Sequence, residues 1–349
     1  MDLRTQDFGI EIEMTGLTRS EAADVVGDYF GTYPEYQGGP YYTYTVRDTQ
    51  ARKWKIVYDS SIVAQRVSNG RKVLAGDECK LELVSPICQY HDIETIQELV
   101  RKLRERGAFV NKSCGIHIHI NAAPFEAKHL RNLVNIVAAK EDMIYRALQV
   151  DGQREEHYCR KIDTHFLDAI NGKQPLTMEK LQSHWYNGHD GSHMHYHDSR
   201  YHCLNLHSVF QKGTIEFRAF NANLHAGKIK AYIQFCMGMT AQAHNQSYAS
   251  PIKTKSTNDK YTFRVWLLRL GMIGDEFKTA RKHLLGHLEG NIAWKDPAQA
   301  QAQKERLRAK REKELSAQAQ KQEVPLDTPP PQEQAPAGQA PAFSMSMIM

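Results

Sequence analysis

Residues 115–121 read GIHIHIN, and this short stretch decides how the chain folds. Apolar and polar residues alternate along it, and successive side chains of a β-strand point to opposite faces of a sheet. The three isoleucines are therefore expected on one face, and His117, His119 and Asn121 on the other. Such a strand needs a core against its isoleucine face, while its other face concentrates two imidazoles.

Three other segments show the same alternation: FGIEIEM at 8–14, KLELVSP at 80–86 and TIEFRAF at 214–220. In the last of these, the alternation places Phe217 and Ala219 on the apolar face. The polar faces of the three segments carry Glu11, Glu13, Lys80, Glu82, Glu216 and Arg218.

The polar faces differ from those of ordinary surface strands, which usually carry Lys, Thr, Ser and mixed charge. The bland alternative is an antiparallel sheet whose polar side simply meets solvent. If the four strands share one sheet, however, four carboxylates and two imidazoles crowd a single surface, and like charges that close repel strongly. Divalent cations would relieve the repulsion. Ligands dominated by carboxylate oxygen favour Mg²⁺, with Mn²⁺ as the other candidate, over structural zinc.

Mg²⁺ is seldom caged by protein alone and is usually completed by substrate phosphates, so the pattern indicates a bound nucleoside triphosphate. Arg218 would then stabilise charge on a transferring phosphoryl group. Lys80 and Asn121 are further candidates for contact with the nucleotide, although Lys80 could equally relieve a carboxylate-rich surface. The sequence lacks the GxxxxGK[ST] motif and a kinase-type glycine loop, which excludes those two kinds of ATP site.

The motifs, taken in order, resemble those of the amidoligases in the glutamine-synthetase-like carboxylate–amine ligase superfamily. The resemblance covers roughly residues 8–245. One departure is the sequence DSS at Asp59, where the family has DGS. The matching segments are FGIEIEM for FGxEIE, WKIVYDSSI (54–62) for W-x-V-x-x-DGS, LELVSP for E-x-V-S-P, CGIHIHIN for G-x-H-x-H and TIEFRAFN for I-E-F-R-x-F.

The resemblance implies an α+β fold, a curved and mainly antiparallel sheet backed by helices as in the catalytic fold of glutamine synthetase. It implies that His119 approaches the nucleotide phosphates and that Arg218 faces the transferring phosphoryl group or the substrate carboxylate. Glu216, His119 and Arg218 are then the catalytic candidates. The expected ligands of two or more Mg²⁺ ions are Glu11, Glu13, Glu82, His117 and Glu216.

The segment RYHCLNL at 200–206 resembles a further family element, x-Y-x-x-L-N-L, which makes Arg200 and Asn205 secondary candidates for nucleotide or substrate contact. The implied activity is ATP-dependent. The γ-phosphoryl group of ATP activates a carboxylate as an acyl phosphate, and an amine displaces the phosphate to form an amide or isopeptide bond. The implied partners are small-molecule or peptide acids and amines, whose identity the sequence does not reveal.

Composition sets the wider frame. The net charge of +5 is too small to indicate nucleic-acid binding, and no run of 18 apolar residues indicates a membrane span. Six cysteines without a CxxC pair fit reduced thiols, so we expect a cytoplasmic protein. The expected domains are a catalytic body at 1–296, a charged helical extension at 297–323 and a disordered Pro/Gln-rich tail at 324–349. The apolar end of that tail, FSMSMIM, is a candidate site for a protein partner.

Two other functions stay open at this point. The GIHIHIN histidines, together with the histidine-rich stretch 184–207, could form a zinc site that activates water for hydrolysis. Alternatively, the chain could be a non-catalytic, phage-type structural or scaffold protein that kept the fold. We interpret the histidine-rich stretch itself as a solvated loop or partner surface. Its histidines are His184, His189, His193, His195, His197, His202 and His207.

Overall fold

The structure is a computed structural model that describes residues 1–322. Its strands are β1 (Phe8–Met14), β2 (Glu35–Gly38), β3 (Thr43–Arg47), β4 (Lys53–Val57), β5 (Gln65–Ser68), β6 (Arg71–Leu74), β7 (Leu81–Val84), β8 (Gly115–Asn121), β9 (Leu204–Asn205) and β10 (Thr214–Asn221). Its α-helices are α1 (Arg19–Phe30), α2 (Ile93–Arg106), α3 (Ala127–Leu148), α4 (Gly152–His157), α5 (Thr164–Ile170), α6 (Met178–Trp185), α7 (His207–Lys212), α8 (Ala226–Asn245), α9 (Asp259–Arg269), α10 (Lys278–Leu285) and α11 (Pro297–Gln322).

Eight of the strands form one sheet in the order β2-β3-β4-β7-β1-β8-β10-β9, and every neighbouring pair in it is antiparallel. The hairpin β5-β6 stands apart from that sheet. The four alternating segments form β7, β1, β8 and β10, which are consecutive neighbours. The prediction of a mainly antiparallel sheet backed by helices is thus confirmed.

Helices cover the isoleucine face of the sheet. Helix α8 packs on β8 and also contacts α2, α3 and α10, while α1 packs on β3 and β4. Ile116, Ile118 and Ile120 are completely buried in this layer. Burying such a side chain contributes about 1.5–3 kcal/mol relative to leaving it exposed, so the helix-backed face stabilises the sheet.

A β-bulge in β10 corrects one part of the predicted alternation. Phe217 lies opposite Ile118, but Phe220 lies opposite Ile116, so one extra residue is inserted between them. The ring of Phe220 consequently stacks on Tyr232 of α8, on the helix side of the sheet. Strict alternation from Glu216 and Arg218 would instead put Phe220 on the polar side.

The chain divides into two units after Pro297. The first, Met1–Pro297, contains the sheet and the helices from α1 to α10. In the second, α11 exposes its large apolar residues Leu307 and Leu315. The predicted disorder of 324–349, and the candidate partner segment FSMSMIM within it, lie outside the described residues. None of the helices within residues 1–322 has the length and apolarity needed to cross a membrane.

Candidate active site

The antiparallel register places the predicted metal ligands opposite one another. Glu13 of β1 pairs with Glu82 of β7, and Glu11 pairs with His117 of β8. His117 Nδ1 lies 3.1 Å from Glu11 Oε2, and its Nε2 lies 3.7 Å from Glu13 Oε1. Glu13 also accepts a hydrogen bond of 2.6 Å from the amide of Gly115. The imidazole of His117 is therefore surrounded by carboxylates.

Glu82, Glu13, Glu11 and His117 form a row of facing polar side chains across β7, β1 and β8. This carboxylate row continues into β10 and β9. Glu216 lies opposite His119 of β8 and opposite Asn205 of β9. Asn205 donates a hydrogen bond of 2.6 Å from Nδ2 to Glu216 Oε2, and Arg218 Nη1 pairs with Glu216 Oε1. These side chains are buried, so the polar groups cross five adjacent strands, β7-β1-β8-β10-β9, in an environment largely removed from water.

Three groups of side chains within this row have the spacing of a metal site. In each group, one ligand atom per residue lies within 4.8 Å of the others. The groups share members, so ions bound in them would be close neighbours. They are Glu13 with Asp59 and Glu82, Glu11 with Glu82 and His117, and Glu11 with His119 and Glu216.

The carboxylates of this row do not share one electrostatic environment. Burial raises the pKa of Glu82 well above its ordinary value, and the charges of Glu11, Glu13 and Asp59 raise it further. Burial would also raise the pKa of Glu11, but the neighbouring His119 and His117 lower it well below its usual range. The negative charge around Glu82 therefore exceeds the positive charge that residues 1–322 place near it.

At the other end of the row the charges are paired. Burial disfavours the charge of Glu216, but Arg218 and His119 outweigh this effect and lower the pKa of Glu216 to about 2. Burial lowers the pKa of His119, while Glu11 and Glu216 raise it more, so the net shift is upward. Arg218 and Glu216 thus form a buried ion pair that stays charged at neutral pH.

These residues fit a hard divalent cation on two observations. Four carboxylates converge around Glu82, and a cation there would remove the repulsion that raises its pKa. His119 Nδ1 shares a hydrogen bond of 3.0 Å with Thr214 Oγ1, whereas its Nε2 is buried and finds no hydrogen-bond partner among residues 1–322. That nitrogen lies 3.4 Å from Glu11 Oε1 without hydrogen-bond geometry, so it is free to bind an ion. The oxygen-rich donor set is the one that Mg²⁺ or Mn²⁺ prefers.

Two further candidates for nucleotide contact, Lys80 and Arg200, lie at the edges of the row. Lys80 precedes β7, and its Nζ pairs with Asp77 Oδ1 at 3.0 Å. Arg200 donates a hydrogen bond of 3.2 Å to the carbonyl of His195 and lies over the rings of Tyr196 and Tyr201. The side chains of Lys80 and Arg200 thus contact groups that do not belong to the carboxylate row.

A cavity of about 310 Å³ opens beside Glu11 and His119. Asn121, the remaining candidate for nucleotide contact, lines it together with Lys212. Gly9 lies on the cavity wall, and a Cβ added there would approach the side chains of His119 and Ser85 no closer than 3.9 Å. A ligand bound in this cavity could therefore contact Glu11 and His119.

The histidine-rich stretch, which we interpreted as a solvated loop or partner surface, is exposed in one part and buried in another. His207 is buried, its Nδ1 lies 2.6 Å from the hydroxyl of Tyr186, and its ring stacks on that of His197. His193 and His195, by contrast, are exposed, and His195 Nε2 lies 3.3 Å from the hydroxyl of Tyr41. Among the described residues, no histidine from 184–207 belongs to a group with metal-site spacing.

Sequence reasoning missed several residues that face the site. Asp59 was quoted in the DSS motif as part of a turn, although its carboxylate lies with Glu13 and Glu82. Lys212 ends α7 and Thr214 begins β10, so neither lies inside a strand pattern that the sequence shows. Arg154 lies in α4, a helix too short to show a periodicity. Only Asp59 carried a signal, namely its place in a motif among other candidate ligands.

Comparison with known proteins identifies the family. Residues 4–240 match a family described as "putative amidoligase enzyme", which covers more than half of the chain. The chain belongs to this amidoligase family. No curated protein matches it significantly.

A solved structure, the bifunctional glutathione synthetase from Pasteurella multocida, resembles this amidoligase-family chain at 11% identity and a TM-score of 0.35. The alignment covers 82% of this chain and 48% of the glutathione synthetase, so the chain spans about half the length of that enzyme. A likeness this distant does not bear on function.

Glu82→Gln tests whether the carboxylate row is built for a cation. Because folding raises the pKa of Glu82, this carboxyl destabilises the metal-free fold at every pH above the pKa that it has in the unfolded chain, and the neutral amide removes that cost. We expect the Tm in EDTA to rise by a few degrees, and the stabilisation by Mg²⁺ or Mn²⁺ to shrink relative to the original chain. Thermal melts with and without metal measure both effects.

The matched control is Glu98→Gln, which neutralises a partly exposed glutamate of α2 that pairs with Arg101. It should leave the response to metal unchanged. A metal-free Glu82→Gln protein that melts lower, with an undiminished shift on adding Mn²⁺, would show that Glu82 is no ligand.

Proposed function

We propose that this chain is an ATP- and Mg²⁺-dependent carboxylate–amine ligase, with Mn²⁺ as an alternative metal, on a glutamine-synthetase-like catalytic sheet. An oxygen of the acid's carboxylate attacks the γ-phosphorus of ATP, ADP leaves, and an acyl phosphate forms. The amine nitrogen then attacks the acyl carbon, phosphate leaves with the C–O bond electrons, and the nitrogen loses a proton. The products are an amide, ADP and phosphate.

The observation that carries the proposal is the largely buried row of carboxylates and imidazoles across the four adjacent strands β7, β1, β8 and β10. Such a row is costly without cations, and Mg²⁺ at such sites is usually completed by phosphate oxygens. Bound there, the metal would neutralise the β- and γ-phosphates of ATP. Family membership supports the same reading, because the residues of the row come from the segments that carry the amidoligase motifs.

The chain's own residues then have distinct roles. Arg218 stabilises charge on the transferring phosphoryl group, and Glu216 holds its guanidinium in place through their ion pair. Asn205 fixes the second oxygen of Glu216. His119 Nε2, which lies 3.4 Å from Glu11 and makes no hydrogen bond within residues 1–322, would bind the metal or a phosphate oxygen. Each role depends on a geometry that the strand register holds before substrates bind.

Four candidates remain for the nucleotide or the acid. Asn121 and Lys212 line the cavity beside His119 and could contact either substrate there. Lys80 and Arg200 would first have to leave Asp77 and the carbonyl of His195. The acids and amines are proposed to be small molecules or peptides.

The zinc-hydrolase alternative loses its main support. It needed ligands from the histidine-rich stretch, and in the part of the chain that the structure describes that stretch supplies none to a metal-site group. It also gives no role to the carboxylates of Glu11, Glu13 and Glu82, which outnumber the imidazoles beside them.

The ligase proposal is tested by incubating the chain with ATP, Mg²⁺ and a library of amino acids, peptides and polyamines. Mass spectrometry should detect a new amide together with ADP in equal amount. With the acid labelled by ¹⁸O in its carboxylate, one labelled oxygen should appear in the released phosphate, because that oxygen attacked the γ-phosphorus.

Glu13→Gln and Glu216→Gln should give no amide in this assay, since both carboxylates belong to the metal-site groups. Circular dichroism checks that the variants are folded. Amide formation without label in the phosphate would exclude the acyl phosphate. ATP turnover at the original rate in either variant would exclude the assigned site.

Arg218→Lys separates phosphoryl transfer from nucleotide binding. Lysine keeps the charge but cannot reproduce the planar fork that bridges a carboxylate and a phosphoryl oxygen. We expect the affinities for Mg²⁺ and ATP to stay within a few-fold, and kcat to fall by about two orders of magnitude or more. Steady-state kinetics and calorimetry provide the two readouts.

Arg146→Lys is the matched control, because Arg146 pairs with Asp259 at the surface. It should change neither quantity. A folded Arg218→Lys protein that binds ATP weakly but retains a normal kcat would instead place Arg218 in ground-state recognition.

A further inference from the structure

Arg154 is a buried arginine that lies against the polar face of the sheet and has no part in the reaction as described so far. It belongs to α4, and 4% of its surface is exposed. Its guanidinium fills the space that a side chain at position 115 would occupy, since a Cβ built on Gly115 would lie 2.3 Å from Arg154 Nη2. Gly115 precedes His117 by two residues in β8, so alternation puts that space on the face of the histidines.

The guanidinium of Arg154 lacks a counter-ion within residues 1–322. Its Nη2 donates one long hydrogen bond, of 3.5 Å, to the carbonyl oxygen of Arg218, and its Nε is buried without a partner in the described part of the chain. The acidic residues nearest in the chain pair elsewhere: Asp151 with Lys112 and Glu155 with Lys161. The nearby aromatic contact is the ring of Tyr158, whose centroid lies 5.9 Å away. A buried charge left unpaired is costly, so this arginine calls for an anion other than the side chains of residues 1–322.

Its position points to the reacting groups. Arg154 contacts the backbone of Arg218, and Gly115, against which it lies, donates its amide to Glu13. The guanidinium therefore stands at the Glu13 end of the carboxylate row, near the arginine proposed to act on the phosphoryl group. The two arginines differ in one respect: Arg218 is neutralised by Glu216, whereas Arg154 keeps its charge available.

We infer that Arg154 is a substrate-binding residue that holds an oxyanion, either the carboxylate of the acid or the γ-phosphoryl group of ATP. The inference rests on the proposed function for the identity of these two oxyanions. A guanidinium suits both, because its planar fork donates two parallel hydrogen bonds to a carboxylate or a phosphoryl group. Gly115 makes this possible, since any side chain there would displace the guanidinium.

A purely structural role would consist in holding β10 through the Arg218 carbonyl. The two roles predict opposite effects on stability. An arginine that only supports β10 stabilises the free protein, whereas an arginine awaiting an anion is an uncompensated charge in the free protein. Arg154→Met distinguishes them, because methionine fills much of the same space without charge or donors.

The experiment compares the original chain with Arg154→Met and Arg154→Lys, and with Arg160→Met as control, because Arg160 is paired with Asp198 at the surface. Thermal melts measure stability without ligand. Calorimetric and thermal-shift titrations measure affinity for inorganic phosphate, acetate, Mg²⁺·ADP and Mg²⁺·AMP-PNP. None of these probes requires turnover.

Arg154→Met should melt at the original temperature or above it, and should bind its oxyanion about tenfold to a hundredfold more weakly, as expected for lost hydrogen bonds to a charged group. Arg154→Lys should be weaker by several-fold, because it lacks the fork. If the oxyanion is the phosphoryl group, Mg²⁺·AMP-PNP and phosphate lose affinity while Mg²⁺·ADP and acetate do not. If it is the carboxylate, acetate loses affinity and both nucleotides are unaffected.

Three results would overturn the inference. One is a lower melting temperature of Arg154→Met with unchanged affinities. Another is affinities in both Arg154 variants that match those of Arg160→Met. The third is an original chain that binds neither phosphate nor acetate and does not distinguish Mg²⁺·AMP-PNP from Mg²⁺·ADP. Failure of the ligase proposal would look different: amide would never form, yet anion binding would still depend on Arg154.

Discussion

Glu13 and Glu82 lie directly opposite each other in neighbouring antiparallel strands, both buried, and like charges in that position repel. This register places the candidate metal ligands of β7 and β1 on the same face of the sheet. Moving β7 by one residue against β1 would put Leu81 or Leu83 opposite Glu13, and Glu82 would then point to the apolar face of the sheet. The helix-backed face of isoleucines holds the register in place. Burial of that apolar face therefore offsets the repulsion between the carboxylates on the polar face.

The consequence is a site with an uneven charge distribution. At the Glu82 side, the carboxylates of Glu11, Glu13 and Asp59 accumulate, and no lysine or arginine among residues 1–322 forms an ion pair with them. Towards β10, Glu216 and Arg218 neutralise each other within the fold. A metal-bound triphosphate would bring positive charge to the first region, while its transferring group would face the second. In the proposed reaction, excess negative charge at the Glu82 side would attract metal, and Arg218 at the other end would stabilise the phosphoryl group.

The sequence alone was sufficient for the part of this arrangement that depends on alternation. The four polar strands and the shared face of the glutamates and histidines follow from local periodicity, which the fold preserves. The bulge at Phe220 did not follow, because an inserted residue is defined only against a partner strand. Arg154 and the buried His207 were missed for a related reason: each is placed by tertiary contacts in a segment without a periodic pattern. Asp59 was visible in its motif, but its distance to Glu13 depends on how β4 pairs.

The central claim is that the carboxylate row holds at least two divalent ions together with the phosphates of ATP. Electron paramagnetic resonance of Mn²⁺, titrated into the chain with and without AMP-PNP, tests it by counting bound ions. The account predicts at least two ions per chain, bound more tightly and with mutual spin coupling when the nucleotide is present, since the groups share Glu11 and Glu82. A chain that binds no Mn²⁺, or a single ion unaffected by the nucleotide, would contradict it.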